Sequence, residues 1–251
     1  MSKVYKPTAV LVIGMAGSGK TTLLQQLNSK CHENAVPDYL INLDPAVKSI
    51  PYEANIDIRD TINYKNIMAK FNLGPNGAIL TASNLFATRF DQVLNLCKNR
   101  SKQLKYIFID TPGQIEMFTW SASGTIISRG FVDSYPTVIL FVIDSIKAAN
   151  PSVLVSNLIQ AVSIFYRLKI RIIIVINKID VASAHRIKSW LGDFETFQKV
   201  VEESGTFSSD LNRSLSVCLE EFCQNLNTVY TSSLTGEGIG DLFAAIDSVT
   251  T

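Results

Sequence analysis

The sequence of 251 residues has few charges, only two histidines and no closely paired cysteines. Asp, Glu, Lys and Arg make up 18% of it and apolar residues 47%. Intrinsic disorder is excluded, because that state needs few apolar residues and many charges. The 23 basic and 22 acidic residues leave a net charge of +1. No overall basic field exists to gather nucleic acid or anionic lipid, so neither is expected as a direct partner. Cys31, Cys97, Cys218 and Cys223 form no C-x-x-C pair, and the ligand spacing of a structural zinc site is missing. Cys31 beside His32 has no second cluster to complete a metal site. Reduced thiols in a cytosolic or nuclear protein are the plain reading. The N-terminus has no signal-peptide cleavage pattern, Ser2 excludes myristoylation, and the ending SVTT is no prenylation box. Long hydrophobic runs are lacking too. The longest, 138–143 and 172–176, fall well short of the roughly 20 residues that span a bilayer. No membrane contact and a cytoplasmic location are expected.

What is present is an alternation of short β-rich runs with helical patterns. Strands are predicted at 8–13, 39–43, 106–109, 137–143, 171–176 and 228–231. Several are apolar on both faces, as central parallel strands covered by helices require. Between them, Leu23, Leu24, Leu27 and Cys31 share one helical stripe, as do Leu154, Leu158, Ala161, Phe165 and Leu168, and Ile239, Leu242, Phe243 and Ile246. This pattern predicts an α/β fold with a doubly wound, mostly parallel sheet. One domain, 1–251, is expected, with helical insertions at about 44–105 and 182–226. In the first, helical pieces near 59–71 and 82–97 flank Gly74-Pro75-Asn76-Gly77, which reads first as a turn.

The first strand runs into Gly14-Met15-Ala16-Gly17-Ser18-Gly19-Lys20-Thr21, followed by a helix. This is the P-loop pattern in its required context. Glycines let the backbone bend and aim several N–H groups at phosphate oxygens, and the helix N-terminus adds partial positive charge. Gly17, Ser18, Gly19, Lys20, Thr21 and Thr22 are the expected phosphate contacts. Lys20 would bridge the β- and γ-phosphates and Thr21 would bind magnesium. The third strand ends in Asp110-Thr111-Pro112-Gly113-Gln114. Asp110 can hold the magnesium directly or through water, Gly113 can offer an N–H to the γ-phosphate, and Gln114 can orient an attacking water.

The fifth strand ends in Asn177-Lys178-Ile179-Asp180. The Asp180 carboxylate can accept from N1–H and the 2-amino group of guanine, whereas adenine offers neither donor in that geometry. A site left with an unpaired buried carboxylate rejects the wrong base. The Lys178 stem would cover the base, Asn177 would tie this loop to the P-loop, and N–H groups at Ser233 and Leu234 could meet guanine O6. The motif order is that of a GTPase, with GTP or GDP and Mg²⁺ as ligands.

Further residues extend the pattern: Asn55-Ile56-Asp57-Ile58-Arg59-Asp60-Thr61, Gly74-Pro75-Asn76-Gly77, and Asp110 through Glu116. Phe118 through Gly124, Ile41 through Ala46, Asn84 through Thr88 and Asp193-Phe194-Glu195 add to it. On these the chain resembles the GPN-loop GTPases from about Thr8 to about Val249. The resemblance implies a fold of the signal-recognition GTPase and MinD class, although Met15 stands where MinD-like ATPases usually carry a lysine. It implies a homodimer or a heterodimer with a GPN-loop paralogue. The loop Gly74, Pro75 and Asn76 would reach the partner's nucleotide, with Asn76 on the γ-phosphate side. Asp44, Gln114 and Glu116 would be the positions for water orientation and switch coupling. It also implies a role with chaperones in assembling RNA polymerase II subunits and importing them into the nucleus, and hence nuclear shuttling. Relatives usually continue into an acidic C-terminal tail, whereas this sequence ends at Thr251.

Other readings stay open from the residues. The chain could hold nucleotide as an assembly scaffold with little turnover, or be a P-loop kinase. The kinase is disfavoured by Gln114 and the guanine motif. Arg59 and Arg89 could each serve as an arginine finger, though surface arginines in helical inserts are common. Lys98, Arg100, Lys102 and Lys105 read as a solvated cluster. Phe118 and Trp120 could be core, or could line a client groove.

Overall fold

The computed structural model describes residues 6–182, 184–193, 197, 199–200, 219, 222 and 226–250. Seven strands form one sheet: β1 (Thr8–Gly14), β2 (Asp38–Asn42), β3 (Ile56–Asp57), β4 (Tyr106–Asp110), β5 (Thr137–Asp144), β6 (Arg171–Asn177) and β7 (Asn227–Thr231). Their order is β3-β2-β4-β1-β5-β6-β7, and every pairing is parallel. Six of these strands are predicted from the apolar runs. The seventh, β3, spans only Ile56–Asp57, too short to carry a periodic signal.

Alternation along the strands divides the core into two layers. Ala9, Leu11 and Ile13 of β1 face one layer, and Val10 and Val12 face the other. The second layer is closed by α1 (Lys20–Glu33), through Leu23, Leu24, Leu27 and Cys31, and by the last helix, α11 (Ile239–Thr250), through Ile239, Leu242 and Ile246. The first layer is thicker, because the long insert adds its helices there. They are α2 (Ile58–Thr61), α3 (Tyr64–Phe71), α4 (Pro75–Ala87) and α5 (Phe90–Arg100). The helices α6 (Ile115–Thr119), α7 (Ala122–Ser134), α8 (Ser145–Ala148), α9 (Pro151–Leu168) and α10 (His185–Gly192) lie on the same face. Of the second predicted insert, Phe194, Glu195, Cys218 and Cys223 lie outside the described residues. Among the described residues, no helix is long and apolar enough to cross a membrane.

The predicted turn at Gly74–Gly77 is a helix start. Gly74 is the N-cap of α4, with φ −71° and ψ 171°, and Pro75 takes the first helical position. Proline suits that place because its missing N–H would be unpaired there anyway. The chain reverses two residues earlier, at Asn72, whose φ of 49° closes α3. Asparagine tolerates this left-handed conformation better than most residues.

Gly124 has a steric reason for being glycine. Ser121 caps α7 by accepting from Gly124 N at 2.9 Å, and a Cβ on Gly124 would collide with the Phe118 carbonyl. Phe118 is buried, whereas Trp120 is 52% exposed under the Arg167 guanidinium, 4.9 Å from its ring centre.

Candidate functional site

Parallel register gathers the strand ends into one edge. Asn42 lies opposite both Asp57 and Asp110, Val12 opposite Asp110, and Asn177 opposite both Asp144 and Thr231. In open α/β sheets this carboxyl edge is where ligands bind. The chain turns there from β1 into the loop Gly14–Lys20.

Two glycines in that loop are required by conformation: Gly17 has φ 80° and Gly19 has φ 93°. A side chain on Gly19 would also meet the Asn177 amide. Lys20 is 6% exposed, and its Nζ donates to Gly14 O at 2.8 Å and Met15 O at 3.3 Å. Burial lowers the Lys20 pKa, while the charges of Asp110 and Asp44 oppose that shift. Both carboxylates are therefore within electrostatic reach of the ammonium. Thr21 and Thr22 occupy the first turn of α1.

Asp110 closes β4 with its side chain on the α1 face, following Tyr106 and Phe108. Its Oδ2 accepts from Thr21 Oγ1 at 2.9 Å and from the Tyr52 hydroxyl at 2.8 Å. Its Oδ1 is buried without a partner. Burial raises the Asp110 pKa, opposed by these two hydrogen bonds and by Lys20. Gly113 lies against Ala16 of the loop. Gln114 caps α6 without a side-chain capping bond, and the exposed Glu116 sits in that helix's first turn.

Asp44 follows β2, half-buried, with Oδ1 accepting from Ala46 N at 2.9 Å. The loop carrying it is fixed from both sides. Asn42 accepts from Asp44 N at 3.1 Å and donates to Asp57 at 3.1 Å. Arg59 forms a forked pair with Asp57, at 2.7 Å for its shortest contact, and donates to the carbonyls of Val47 and Lys48 at 3.3 Å. This binding of Arg59 to its own loop replaces the arginine-finger reading at that position.

On the other side of the loop, Asn177 Nδ2 donates to Ser18 O at 3.0 Å, and its Oδ1 accepts from Ser233 N at 3.1 Å and Ser233 Oγ at 2.8 Å. One buried amide thus joins three loops. Lys178 stands at φ 68°, a conformation that costs a non-glycine residue about 1 kcal/mol or more. It is held there by Nζ donation to Gly17 O at 2.7 Å and to Asp144 Oδ2 at 2.8 Å, and by the bond from Ser145 Oγ to its carbonyl at 2.9 Å. The Asp180 carboxylate, on an exposed residue, accepts from Ser232 Oγ at 2.6 Å through one oxygen. Ser233 is buried and Leu234 is 78% exposed.

The strand edge thus brings together the P-loop, Asp44, Asp110, Gly113, Asn177, Lys178 and Asp180. The Gly74-Pro75-Asn76 loop is not joined to them by a hydrogen bond. It is exposed, and the Tyr64 hydroxyl donates to Pro75 O at 3.2 Å. Sequence reading missed Tyr52, Asn42 and Asp144. Asp144 ends an apolar strand as Asp110 does, so position alone could have flagged it. Tyr52 carries no comparable local signal.

A crevice with a phosphate-type loop after the central strand, a buried carboxylate at the next strand end and a base-side Asn-Lys-x-Asp turn defines a P-loop nucleotide-binding protein. Comparison with known proteins narrows the class. A family model described as conserved hypothetical ATP-binding protein matches residues 12–251. GPN-loop GTPase 1 of Dictyostelium discoideum is 49% identical over 241 residues, covering 96% of this chain and 61% of that protein. GPN-loop GTPase 1 of Schizosaccharomyces pombe is 49% identical, covering 97% of this chain and 69% of that protein. The chain therefore spans about three fifths to two thirds of the length of these curated relatives. The crystal structure of the Pyrococcus abyssi GTPase PAB0955 in its apo form superposes with a TM-score of 0.84 at 27% identity, covering 96% of each chain. This chain belongs to the GPN-loop GTPase family.

Proposed function

We propose that this chain binds GTP with magnesium and hydrolyses it to GDP and phosphate as a conformational switch. The observation that carries the reading is the base-side geometry. Asn177 bridges the P-loop to the Ser233 loop, while Asp180 is steadied by Ser232 with one oxygen left to accept. A fixed carboxylate acceptor favours guanine, which presents two donors there, over adenine. It therefore outweighs the mention of ATP in the family description.

The residues fit a magnesium ion. Asp110 Oδ1 is a buried acceptor without a partner, and the Thr21 hydroxyl spends its proton on Asp110 Oδ2, leaving its lone pairs for a cation. Thr21 and Asp110 would hold the ion, which when bound neutralises charge developing on the phosphates. Lys20 supplies a buried positive charge on the same side. Gln114 and Asp44 are the residues for orienting water, each on a loop anchored to a strand end.

Titration of nucleotides into the protein tests the base reading. Wild type is expected to bind GDP and GTP and to leave ATP unbound. Asp180→Asn is expected to lower guanine affinity by about 10²-fold or more, since it replaces an acceptor facing two donors. Preference for ATP, or unchanged guanine affinity in Asp180→Asn, would overturn it. Phosphate release from GTP tests turnover, and its absence in an assembled dimer would favour the scaffold reading.

Family membership supports the wider role. The switch would act as a homodimer or with a GPN-loop paralogue, in the cytoplasm and shuttling to the nucleus. Its clients would be RNA polymerase II subunits, handled with chaperones during assembly and nuclear import. Capture from cytosolic extract on protein loaded with GDP or a non-hydrolysable GTP analogue checks this. Polymerase subunits recovered in one nucleotide state are expected, and an unrelated set would remove the polymerase role.

A further inference from the structure

Tyr52 belongs to no nucleotide motif, yet it reaches the most buried carboxylate of the site. It lies in the loop between β2 and β3 and is 7% exposed. Its ring belongs to the apolar layer that contains Leu23, Leu40 and Phe108. Its hydroxyl donates to Asp110 Oδ2 at 2.8 Å, the oxygen that also accepts from Thr21. The segment around Tyr52 is itself pinned. Asn55 exchanges two bonds with Leu40, each 2.8 Å, and Arg59 ties Asp57 to the carbonyls of Val47 and Lys48.

The consequence is an asymmetric carboxylate. Two donors converge on Oδ2, and Oδ1 is buried with none. A carboxylate held in this way cannot rotate without breaking a charge-assisted hydrogen bond, which is stronger than a neutral one. Thr21 alone would leave it free to pivot about a single contact.

We propose that Tyr52 is a positioning residue for magnesium: with Thr21 it saturates Oδ2 of Asp110, so that Oδ1 is presented to the cation or to water bound to it. Through the same bond, the insert that carries Asp44 is joined to the state of the metal site. This inference rests on the magnesium and guanine-nucleotide reading above.

The test is the release of a fluorescent GDP analogue measured against free magnesium, for wild type, Tyr52→Phe and Tyr135→Phe. Phenylalanine keeps the ring that packs in the core, and melting in EDTA checks that each variant is folded. Tyr135 is another buried tyrosine, placed before the opposite end of β5, and serves as the control. In Tyr52→Phe, the magnesium concentration for half-maximal retention is expected to rise about tenfold, the scale of one hydrogen bond to a charged group. Release in EDTA is expected to stay within about twofold of wild type, and Tyr135→Phe to match wild type throughout. A magnesium midpoint unchanged in Tyr52→Phe would overturn the inference alone. So would a faster release in EDTA by the same factor, which would make Tyr52 a packing residue only. Wild-type release indifferent to magnesium would overturn the magnesium reading along with it.

Discussion

Asp44 and Asp110 act electrostatically on the same ammonium, Lys20, but their surroundings set them different tasks. Asp110 is 2% exposed and bonded to two hydroxyls, which suits a fixed cation ligand. Asp44 is half-buried and accepts from the N–H two residues on, an Asx turn that leaves its carboxylate less enclosed than that of Asp110. That access suits the proposed role of positioning a water near the γ-phosphate. Asp44→Ala is therefore expected to keep GDP affinity and to slow single-turnover hydrolysis by about tenfold or more. Parallel loss of GDP and GTP binding would instead make Asp44 structural. At this scale much was legible, because Lys20, Thr21, Asp110, Asn177 and Asp180 sit in short motifs at strand ends, and the structure brings these residues to one edge. Tyr52 was not, because its contact spans 58 residues of sequence.

Among the elements, α4 departs most from its local signals. Gly-Pro-Asn-Gly reads as a turn, yet Pro75 opens a helix of 13 residues. The apolar residues that follow decide the outcome, since Ala78, Ile79, Ala82 and Phe86 are all buried on one side. The helix thereby projects Asn76 from its exposed first turn. The loop before α2 depends on a different device. Burial works to raise the Asp57 pKa, but the hydrogen bonds from Arg59 and Asn42 prevail and leave it below the ordinary carboxylate value. Arg59→Ala would strand a carboxylate that is 8% exposed. Because the Arg59 side chain is 29% exposed, the expected loss is about 2 kcal/mol, below the cost of breaking a fully buried pair. Stabilisation by a carboxylate with a lowered pKa is complete above its unfolded value, about 4, and is lost as pH falls through the folded value. Thermal melts should show a constant gap between wild type and Arg59→Ala from pH 5 to 7, closing below about pH 4. A gap that persisted in acid would mean that Arg59 acts through its carbonyl contacts instead.

For the whole molecule, the sheet order places β1 between β4 and β5, so the P-loop rises at the centre of the carboxyl edge with the strand ends at Asp110 and Asp144 on either side. The Gly74-Pro75-Asn76 loop stands on the insert, exposed and without a hydrogen bond to that edge, which is consistent with the proposed action across a dimer. The mixing experiment belongs at this scale. Lys20→Ala protomers keep Asn76, and Asn76→Ala protomers keep a complete phosphate loop. Hydrolysis is expected to recover when the two are combined. No recovery in preparations where mixed dimers are shown to form would place the action of Asn76 within its own chain.

The apolar runs and stripes determined six of seven strands and the placement of α1, α9 and α11, because burial on a sheet face or a helix face imposes periods of two or 3.6 that local sequence must repeat. The motifs after the strands likewise marked the loops that the structure gathers at the carboxyl edge, because a strand end needs only its own few residues to set such a loop. Only the tertiary structure decided the two-residue strand β3, the helical start at Pro75, the clamp of Arg59 on Asp57 and the bond from Tyr52 to Asp110. The physical reason is common to all of these. Each depends on groups brought together by the parallel register or by packing of the insert, and no residue in them repeats with a period that its neighbours in sequence could reveal.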